Sequence, residues 1–315
     1  MTPSDTSPSP ARYVVVYNGG SGKDDENPSA DEVRAAFEAQ GAQVEILTVS
    51  GGDGMADTIE QAVGREGVTC VVAAGGDGTI SAVAGALAGR DIALGVLPLG
   101  TFNYFARRLD IPEELEDAVA TICGDGTCSL NVGCVNGRAF INNASIGLYP
   151  TILKVREGIY DRWGRSRLAA YWSVLVAMAT AYRHIPMRIE VDGTERRARS
   201  STVFVAISAY QLDEFDLEGA DAVRAGKFAL YLAPDCGRFA LAWKAIKVAF
   251  RGVRSGQDYS LRTGERAVVS MDKDRQLVAV DGEREEMQAP FEFTILQDAL
   301  TVKVPQTSNE TGEAA

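Results

Sequence analysis

The sequence is poor in the residues that disulfide frameworks, zinc sites and nucleophilic catalysis require. Its 315 residues include one histidine and five cysteines, and no two cysteines have the CxxC spacing. An odd, scattered set of cysteines argues against a disulfide framework or a cysteine-rich zinc site. The sequence has no GxSxG segment and only one histidine, which argues against Ser-His and Cys-His catalysis. We therefore expect reduced thiols and a cytoplasmic protein.

Positive charge and long apolar runs are also scarce. The 31 Lys and Arg residues against 43 Asp and Glu residues give a formal net charge of −12. A chain this acidic repels nucleic-acid phosphates, so no nucleic-acid partner is expected. The most apolar helix-like run, over 168–181, is too short for a bilayer, which needs about 20 residues. The N-terminus also lacks the basic and apolar regions of a signal peptide. Any membrane contact is therefore expected to be peripheral, at the inner face.

One stretch, over 151–200, departs from the acidic balance, because Arg and Lys outnumber Asp and Glu there. This excess suits either a solvated face or a docking surface for anionic lipid headgroups. The arginines concerned are Arg162, Arg165, Arg167, Arg183, Arg188, Arg196, Arg197 and Arg199.

The first part of the chain alternates between apolar, β-branched runs and amphipathic segments. Such alternation predicts an α/β domain with a parallel sheet and helices on its faces. The predicted strands are Tyr13–Tyr17, Val44–Val49, Val68–Ala73 and Ile92–Leu97. The first predicted helix begins at a capping box of Ser29 and Glu32. The other predicted helices are Met55–Val63, Ile80–Leu87 and Phe102–Leu109.

After residue 130 the pattern changes to short strand-like runs between turn residues, with helices predicted over 165–182 and 239–250. This predicts a β-rich, antiparallel, sandwich-like second domain. We therefore assign 1–11 to a disordered tail, 12–130 to a nucleotide-binding domain, 131–293 to a substrate domain and 306–315 to a second tail. The predicted strands are Arg138–Ile146, Met187–Val191, Thr202–Ser208, Lys227–Leu232, Ala267–Ser270 and Gln276–Val280.

Glycine-rich or Gly-Thr turns follow the first, third and fourth predicted strands. Because ligands of such sheets bind at the carboxyl ends of the strands, this coincidence predicts a phosphate site built from backbone N–H groups and helix N-termini. Each turn taken alone would equally suit a tight strand-to-helix connection or a helix cap. The residues are Asn18, Gly19, Gly20, Ser21 and Gly22 after the first strand, Gly75, Gly76, Asp77, Gly78 and Thr79 after the third, and Thr101 and Asn103 after the fourth.

Two further features narrow the chemistry of this site. Asp77 is unexpected beside phosphate, and its presence makes sense if it holds Mg²⁺ or a donor group there. Neither the Walker A pattern nor the GxGxxG pattern follows the first strand, which argues against a P-loop and a dinucleotide site.

A fourth segment, Asp281-Gly282-Glu283, ends a strand-like run in the second domain. Asp281 or Glu283 could accept a proton from a substrate hydroxyl. The alternative is a plain hairpin turn, in which Asp-Gly is a common pair.

In this order the four segments resemble the diacylglycerol kinase catalytic-domain family, which includes bacterial lipid kinases and sphingosine kinases. The GGDG turn is also similar to that of NAD kinases and phosphofructokinases. The resemblance spans 12–305 and implies two domains with Mg²⁺ and ATP in the cleft between them. It also implies that a last strand, over 294–305, returns to the first domain. The matching segments are 18–22, 75–79, 98–103 followed by 105–107, and 281–283.

The resemblance implies a role for each segment. It places ATP on 18–22, 75–79, Thr101 and also Thr48, at the end of the second strand. It makes Glu283 the proton acceptor, with Asp281 beside it.

The sequence departs from the family pattern at three places. Gly19 stands where the family usually has proline, and Tyr104 stands where it usually has aspartate. An acidic loop that holds a structural metal in bacterial members is replaced here by Ala222–Lys227, which contains Arg224. We therefore expect an altered acceptor preference and no structural Mg²⁺ in the second domain.

Three functions remain after these arguments. The leading one is an ATP-dependent lipid kinase that phosphorylates a lipid hydroxyl at a membrane surface. The alternatives are a kinase of a soluble small molecule and a non-catalytic nucleotide-binding regulator. A homodimer is compatible with each of them.

Overall fold

The computed structural model describes residues 12–19, 27–49, 54–148, 150, 184–235 and 259–306. The helices predicted over 165–182 and 239–250 lie outside these residues, as do Gly20, Ser21 and Gly22. Contacts divide the chain into two compact units. Among the described residues, the first unit contains those up to Leu130 and those from Asp298 onward, and the second contains Asn131–Gln297.

The first unit has a parallel sheet with the strand order β2-β1-β3-β4. The end of the last strand of the chain joins it, because Val302 pairs in parallel with Leu94 of β4. The strands are β1 (Tyr13–Tyr17), β2 (Val44–Thr48), β3 (Cys70–Gly75) and β4 (Ala93–Pro98). The helices are α1 (Ala30–Ala39), α2 (Met55–Val63), α3 (Asp77–Leu87), α4 (Tyr104–Arg108) and α5 (Leu115–Cys123).

Burial explains why this unit could be predicted from its sequence. The central strand β3 is buried along its whole length, as a parallel strand covered on both faces must be. Helix α1 buries Val33 and Phe37 against the sheet, and the predicted capping box closes its start.

Burial also raises the pKa of the Cys70 thiol to about 12, so this cysteine stays protonated near neutral pH.

The second unit consists mainly of antiparallel strands in two sheets. One sheet has the order β12-β11-β10-β7-β14-β15, and the other includes β16-β13-β8-β9. The strands are β5 (Thr127–Val135), β6 (Arg138–Phe140), β7 (Asn143–Gly147), β8 (Ile185–Val191), β9 (Thr194–Ser200), β10 (Thr202–Ala206), β11 (Phe228–Leu232), β12 (Ser260–Gly264), β13 (Arg266–Met271), β14 (Arg275–Val280), β15 (Glu283–Gln288) and β16 (Phe291–Lys303). Two short helices, α6 (Ala209–Glu214) and α7 (Ala220–Arg224), connect β10 to β11.

One apolar core holds the two sheets of the second unit together. Side chains of β8 and β13, such as Ile189 and Val269, pack in the same cluster as Val203, Leu230 and Val278 of the other sheet. Shared burial of two antiparallel sheets defines a sandwich. The predicted fold class, a parallel α/β unit followed by a β-rich antiparallel unit, is therefore confirmed.

Some predicted boundaries were wrong. The run Arg138–Ile146 was predicted as one strand, but it forms β6 and the start of β7 with a turn between them. Helix α3 begins at Asp77, so the glycine turn is partly helical, whereas the prediction began at Ile80. None of the described helices is long and apolar enough to cross a membrane.

Candidate functional site

The sheet order of the first unit places the three predicted turns next to one another. Strand β1 pairs with β3, and β3 pairs with β4, all in parallel. Their carboxyl ends therefore lie at one edge of the sheet, where ligands of such sheets bind. Thr48 ends β2 opposite Tyr17 and is exposed at the same edge.

The turns after β1 and β3 are joined through Thr79. The Asn18 side-chain amide donates to the Thr79 hydroxyl oxygen at 3.0 Å, and the Asn18 backbone N–H donates to the Ala74 carbonyl at 2.9 Å. Thr79 is only 4% exposed and folds back over Gly75. A Cβ on Gly75 would lie 2.6 Å from the Thr79 Oγ1 atom, which no side chain tolerates without movement. Glycine at position 75 therefore allows the close return of the chain.

The turns after β3 and β4 meet backbone to backbone. A Cβ on Gly100 would lie 2.7 Å from the Gly76 Cα atom, and the Leu99 N–H donates to the Gly75 carbonyl at 3.0 Å. Glycine is needed at position 100, because the two main chains approach this closely there. Gly100 belongs to the motif after β4, but sequence reasoning did not include it among the site residues.

Asn103 shapes the turn after β4 from within. It is 3% exposed and has left-handed backbone angles, with φ 50° and ψ 40°. Its side-chain oxygen accepts from the Gly100 N–H at 3.0 Å, and its amide nitrogen donates to the Pro98 carbonyl at 3.3 Å. Both polar groups are thus engaged by the turn itself, whereas Thr101 is exposed. The predicted nucleotide contact is better suited to Thr101 than to the Asn103 side chain.

Asp77 connects the turn after β3 to helix α4. Its Oδ1 atom accepts from the backbone N–H of Phe105 at 3.1 Å. This caps α4, whose own N-cap residue, Asn103, makes no capping hydrogen bond. The sequence had suggested Mg²⁺ or a donor group as the partner of Asp77, and no sequence signal pointed to the Phe105 N–H.

The N-terminus of helix α3 is suited to binding an anion at this edge of the sheet. Its first N–H groups have no partner within the helix, and the aligned peptide dipoles make this end positive. The N-cap residue Gly76 offers no side chain to cap them, and Gly78 in the first turn is exposed. The chemistry of this end suits phosphate oxygens.

The turn after β1 explains one departure from the family pattern. The Tyr17 ring lies beside Gly19, where a Cβ would come within 2.9 Å of the ring. The Tyr17 hydroxyl donates to the Pro28 carbonyl at 2.8 Å, which fixes the ring in that position. A proline ring at position 19 would compete for the space that Tyr17 occupies.

Asp281, in the second unit, is held by backbone donors. Its Oδ2 atom accepts from the Ile141 N–H at 2.8 Å, and its Oδ1 atom accepts from the Asn142 and Asn143 N–H groups at 2.8 and 2.9 Å. With Gly282 it forms a two-residue hairpin turn at positive φ angles of 47° and 94°. The Asp281-Gly282 pair thus forms a hairpin turn, and three backbone N–H groups donate to the Asp281 carboxylate.

Glu283 begins β15 on the other side of the same turn. Its backbone pairs with Val280, and its exposed side chain makes no hydrogen bond or ion pair with a described residue. Of the two carboxylates in this segment, Glu283 is the one free to accept a proton.

The segment with Arg224 does not suit a structural metal. The Arg224 guanidinium donates to the carboxylate of Asp213 and, at 3.1 Å, to that of Asp221. A cation of the protein itself therefore occupies the place between these two carboxylates. Across the part of the chain that the structure describes, no cluster of three or more His, Cys, Asp or Glu side chains is arranged to hold a metal ion.

The comparison with protein families finds one catalytic domain that the N-terminal part of the chain resembles. The model of the diacylglycerol kinase catalytic domain matches residues 12–135, which include all three turns. Residues 12–135 are therefore similar to the diacylglycerol kinase catalytic domain.

Similarity to known proteins extends beyond the residues that this model matches. The chain is 28% identical to the diacylglycerol kinase of Bacillus subtilis over 307 residues, covering 95% of this chain and 98% of that protein. It is 44% identical over 123 residues to the Pseudomonas aeruginosa protein named "Probable lipid kinase YegS-like", covering 37% of this chain and 40% of that one. A crystal structure of a diacylglycerol kinase from Bacillus anthracis superposes with a TM-score of 0.67 at 18% identity, covering 94% of this chain and 97% of that one. This last likeness establishes the shared fold.

Proposed function

We propose that this protein is an ATP-dependent lipid kinase, which transfers the γ-phosphoryl group of ATP to a lipid hydroxyl. The observation that carries the proposal is the contact of three glycine-containing turns at one edge of the parallel sheet. Asn18 joins the first turn to the second, and the closely apposed Gly76 and Gly100 join the second to the third. Phosphoryl transfer depends mainly on positioned phosphates and on neutralised charge, and backbone N–H groups of these turns would position the phosphates.

In this proposal the first unit binds the nucleotide. The start of α3 and the backbone near Gly76 and Gly78 face the phosphates, with Thr101 and Thr48 as further contacts. Gly20, Ser21 and Gly22 complete the turn after β1 as proposed nucleotide contacts.

Mg²⁺ enters this proposal with ATP. Asp77 uses Oδ1 for the Phe105 N–H, and Oδ2 makes no hydrogen bond to the described residues. A carboxylate oxygen of this kind is the ligand type that Mg²⁺ prefers, so Asp77 fits a role in holding Mg-ATP.

Glu283 is the proposed proton acceptor. As the acceptor hydroxyl oxygen forms its bond to the γ-phosphorus, the bond from that phosphorus to the β,γ-bridging oxygen breaks, and ADP leaves. The hydroxyl proton passes to the Glu283 carboxylate. Asp281 supports the turn that presents Glu283, because its own oxygens are held by three N–H groups.

The lipid nature of the acceptor is supported by the names of the relatives. A diacylglycerol kinase matches nearly the whole chain, and a protein named as a lipid kinase matches part of it with higher identity. Tyr104, in place of the usual aspartate, favours an acceptor that differs from diacylglycerol.

Phosphoryl transfer from labelled Mg-ATP to mixed micelles tests this proposal. The panel contains diacylglycerol, monoacylglycerol, ceramide, sphingosine and phosphatidylglycerol, with NAD as a soluble acceptor. A labelled lipid is expected with the wild-type protein. The Glu283→Gln variant should lose at least a hundredfold in kcat, the scale of general-base catalysis, while the KM for ATP stays within twofold.

Other outcomes would overturn parts of the proposal. Phosphorylation of NAD alone would make the protein a kinase of a soluble acceptor. ATP binding in a calorimeter without transfer to any acceptor would favour a nucleotide-binding regulator. Full activity of Glu283→Gln would remove only the assignment of the base.

A further inference from the structure

Two aromatic side chains stack on the surface directly beside the proposed phosphate turns. The rings of Phe102 and Tyr104 are nearly parallel, with centroids 5.7 Å apart and planes 12° apart. Phe102 is 62% exposed, the largest value among the exposed large apolar side chains of the described residues. Stacked side by side, the two rings present an apolar surface at this turn.

The backbone that carries this pair is rigidly held. Asn103, which lies between Phe102 and Tyr104 in the sequence, is buried, and its side chain makes its two hydrogen bonds within the turn. Phe105, which follows Tyr104, is fully buried, and its N–H donates to Asp77. Phe102 is therefore not a side chain on a loose loop. It directly precedes buried Asn103, and Tyr104 lies between buried Asn103 and buried Phe105, so the backbone of the pair is held in place as binding sites require.

The pair also lies within a few residues of the reacting groups proposed above. Asp77 contacts the N–H of Phe105, the residue that directly follows Tyr104, and Gly100 packs on Gly76 two residues before Phe102. A ligand at the phosphate turns would extend over this aromatic surface if it carried an apolar portion. Both of the polar groups that Asn103 could offer such a ligand are already used.

The chemistry of the pair favours hydrocarbon over a nucleobase. Recognition of a base normally includes hydrogen bonds to its edge in addition to stacking. Phe102 offers none, because its exposed side chain is hydrocarbon only. An acyl or alkyl chain needs only apolar contact, which these two rings provide.

We propose that Phe102 and Tyr104 form the contact surface for the acyl chain of the lipid acceptor. This inference rests on the proposed lipid kinase function and names the residues that set its acceptor preference. Tyr104 supplies an aromatic wall where the family usually has a carboxylate, and Phe102 supplies the exposed face. The pair therefore selects long-chain acceptors over short-chain ones.

Acceptor kinetics with two chain lengths test the proposal. Dioctanoylglycerol and dihexanoylglycerol, or the matching esters of whichever lipid proves active, are compared for the wild type and for Phe102→Ala. The variant should raise the KM for the longer acceptor about tenfold, because a large part of one buried phenylalanine contact is lost. The KM for the shorter acceptor and the KM for ATP should change less than twofold.

Three further variants make the test specific. Tyr104→Asp should also weaken the longer acceptor, whereas Tyr104→Phe, which keeps the stack, should behave like the wild type. Phe215→Ala removes an exposed phenylalanine of the second unit, 57% exposed, and should change neither constant. Equilibrium binding of radiolabelled dioctanoylglycerol without ATP gives the same ranking independently of turnover.

The results that would overturn the inference differ from those that would overturn the function. If the wild type phosphorylates lipids but Phe102→Ala leaves acceptor binding unchanged, the aromatic pair has no part in acceptor recognition. A selective rise in the KM for ATP would instead assign the pair to the nucleobase. If the wild type binds ATP and phosphorylates no lipid, the proposed function fails, and this inference fails with it.

Discussion

The two oxygens of the Asp77 carboxylate have different surroundings, so fold and chemistry can be separated at this residue. Oδ1 caps α4 through the Phe105 N–H, and Oδ2 makes no hydrogen bond to the described residues. The sequence indicated the special position of Asp77 through the conflict between a carboxylate and a phosphate site. It could not indicate the Phe105 contact, because that bond joins residues 28 positions apart and depends on how β3 and β4 pair.

Substitution of Asp77 should therefore separate stability from activity. Asp77→Asn retains an oxygen for the Phe105 N–H and should leave the thermal midpoint nearly unchanged. Asp77→Ala should lower the unfolding free energy by about 1 kcal/mol, the usual cost of losing a helix cap. Both variants should lose kcat at least tenfold if Oδ2 helps to hold Mg-ATP. Calorimetric unfolding and the transfer assay measure the two effects, with exposed Asp91→Asn as the control. An active Asp77→Asn would limit Asp77 to its structural role.

Elements differed in how well their sequences predicted them. The parallel strands were recognisable because they are buried on both faces and so read as continuous apolar runs, such as Val14–Val16 in β1. Strands β9 and β15 were missed, since their sequences, TERRARS and EREEMQ, are rich in charge. Each lies at the end of its described strand order. Charged residues are common on such strands because they discourage pairing with other chains, and this hides the alternation that marks a strand.

The turn between β14 and β15 contains two carboxylates with different roles, and their variants should behave oppositely. Asp281→Ala leaves three backbone N–H groups without their acceptor and should lower the unfolding free energy by about 3 kcal/mol. Glu283→Gln removes an exposed carboxylate without hydrogen bonds and should leave the midpoint within a degree or so of the wild type. Urea unfolding of both variants, beside the transfer assay, gives the comparison. Equal stability of Asp281→Ala and wild type would show that the three hydrogen bonds to the Asp281 carboxylate do not stabilise the fold.

For the molecule as a whole, the sequence gives the net charge but does not show which charged side chains are paired and which are exposed. The formal net charge of −12 opposes contact with an anionic membrane. Four arginines of the basic stretch lie in the described β8–β9 hairpin. Arg188 pairs with Glu195 at 3.3 Å, and Arg199 lies 4.0 Å from Asp235. Arg196 and Arg197 are exposed, and neither has a salt bridge to a described carboxylate. An exposed arginine without a salt bridge can bind a lipid phosphate, whereas an arginine in a salt bridge is already paired with a carboxylate.

We predict that vesicle binding depends on this hairpin. The wild type should co-sediment with phosphatidylglycerol vesicles at low salt, but not with phosphatidylcholine vesicles, and binding should fall sharply in 0.5 M salt because surface charges are then screened. A basic residue near an anionic surface contributes about 1 kcal/mol, so Arg197→Gln should lower the partition coefficient about fivefold. Arg34→Gln, an equal charge change at an exposed position in α1, is the matched control. If Arg34→Gln weakens binding as much as Arg197→Gln does, net charge alone governs the contact. If the wild type stays in the supernatant at low salt, the excess of arginine on this hairpin is a solvated face, and the lipid acceptor must be reached without electrostatic help from it.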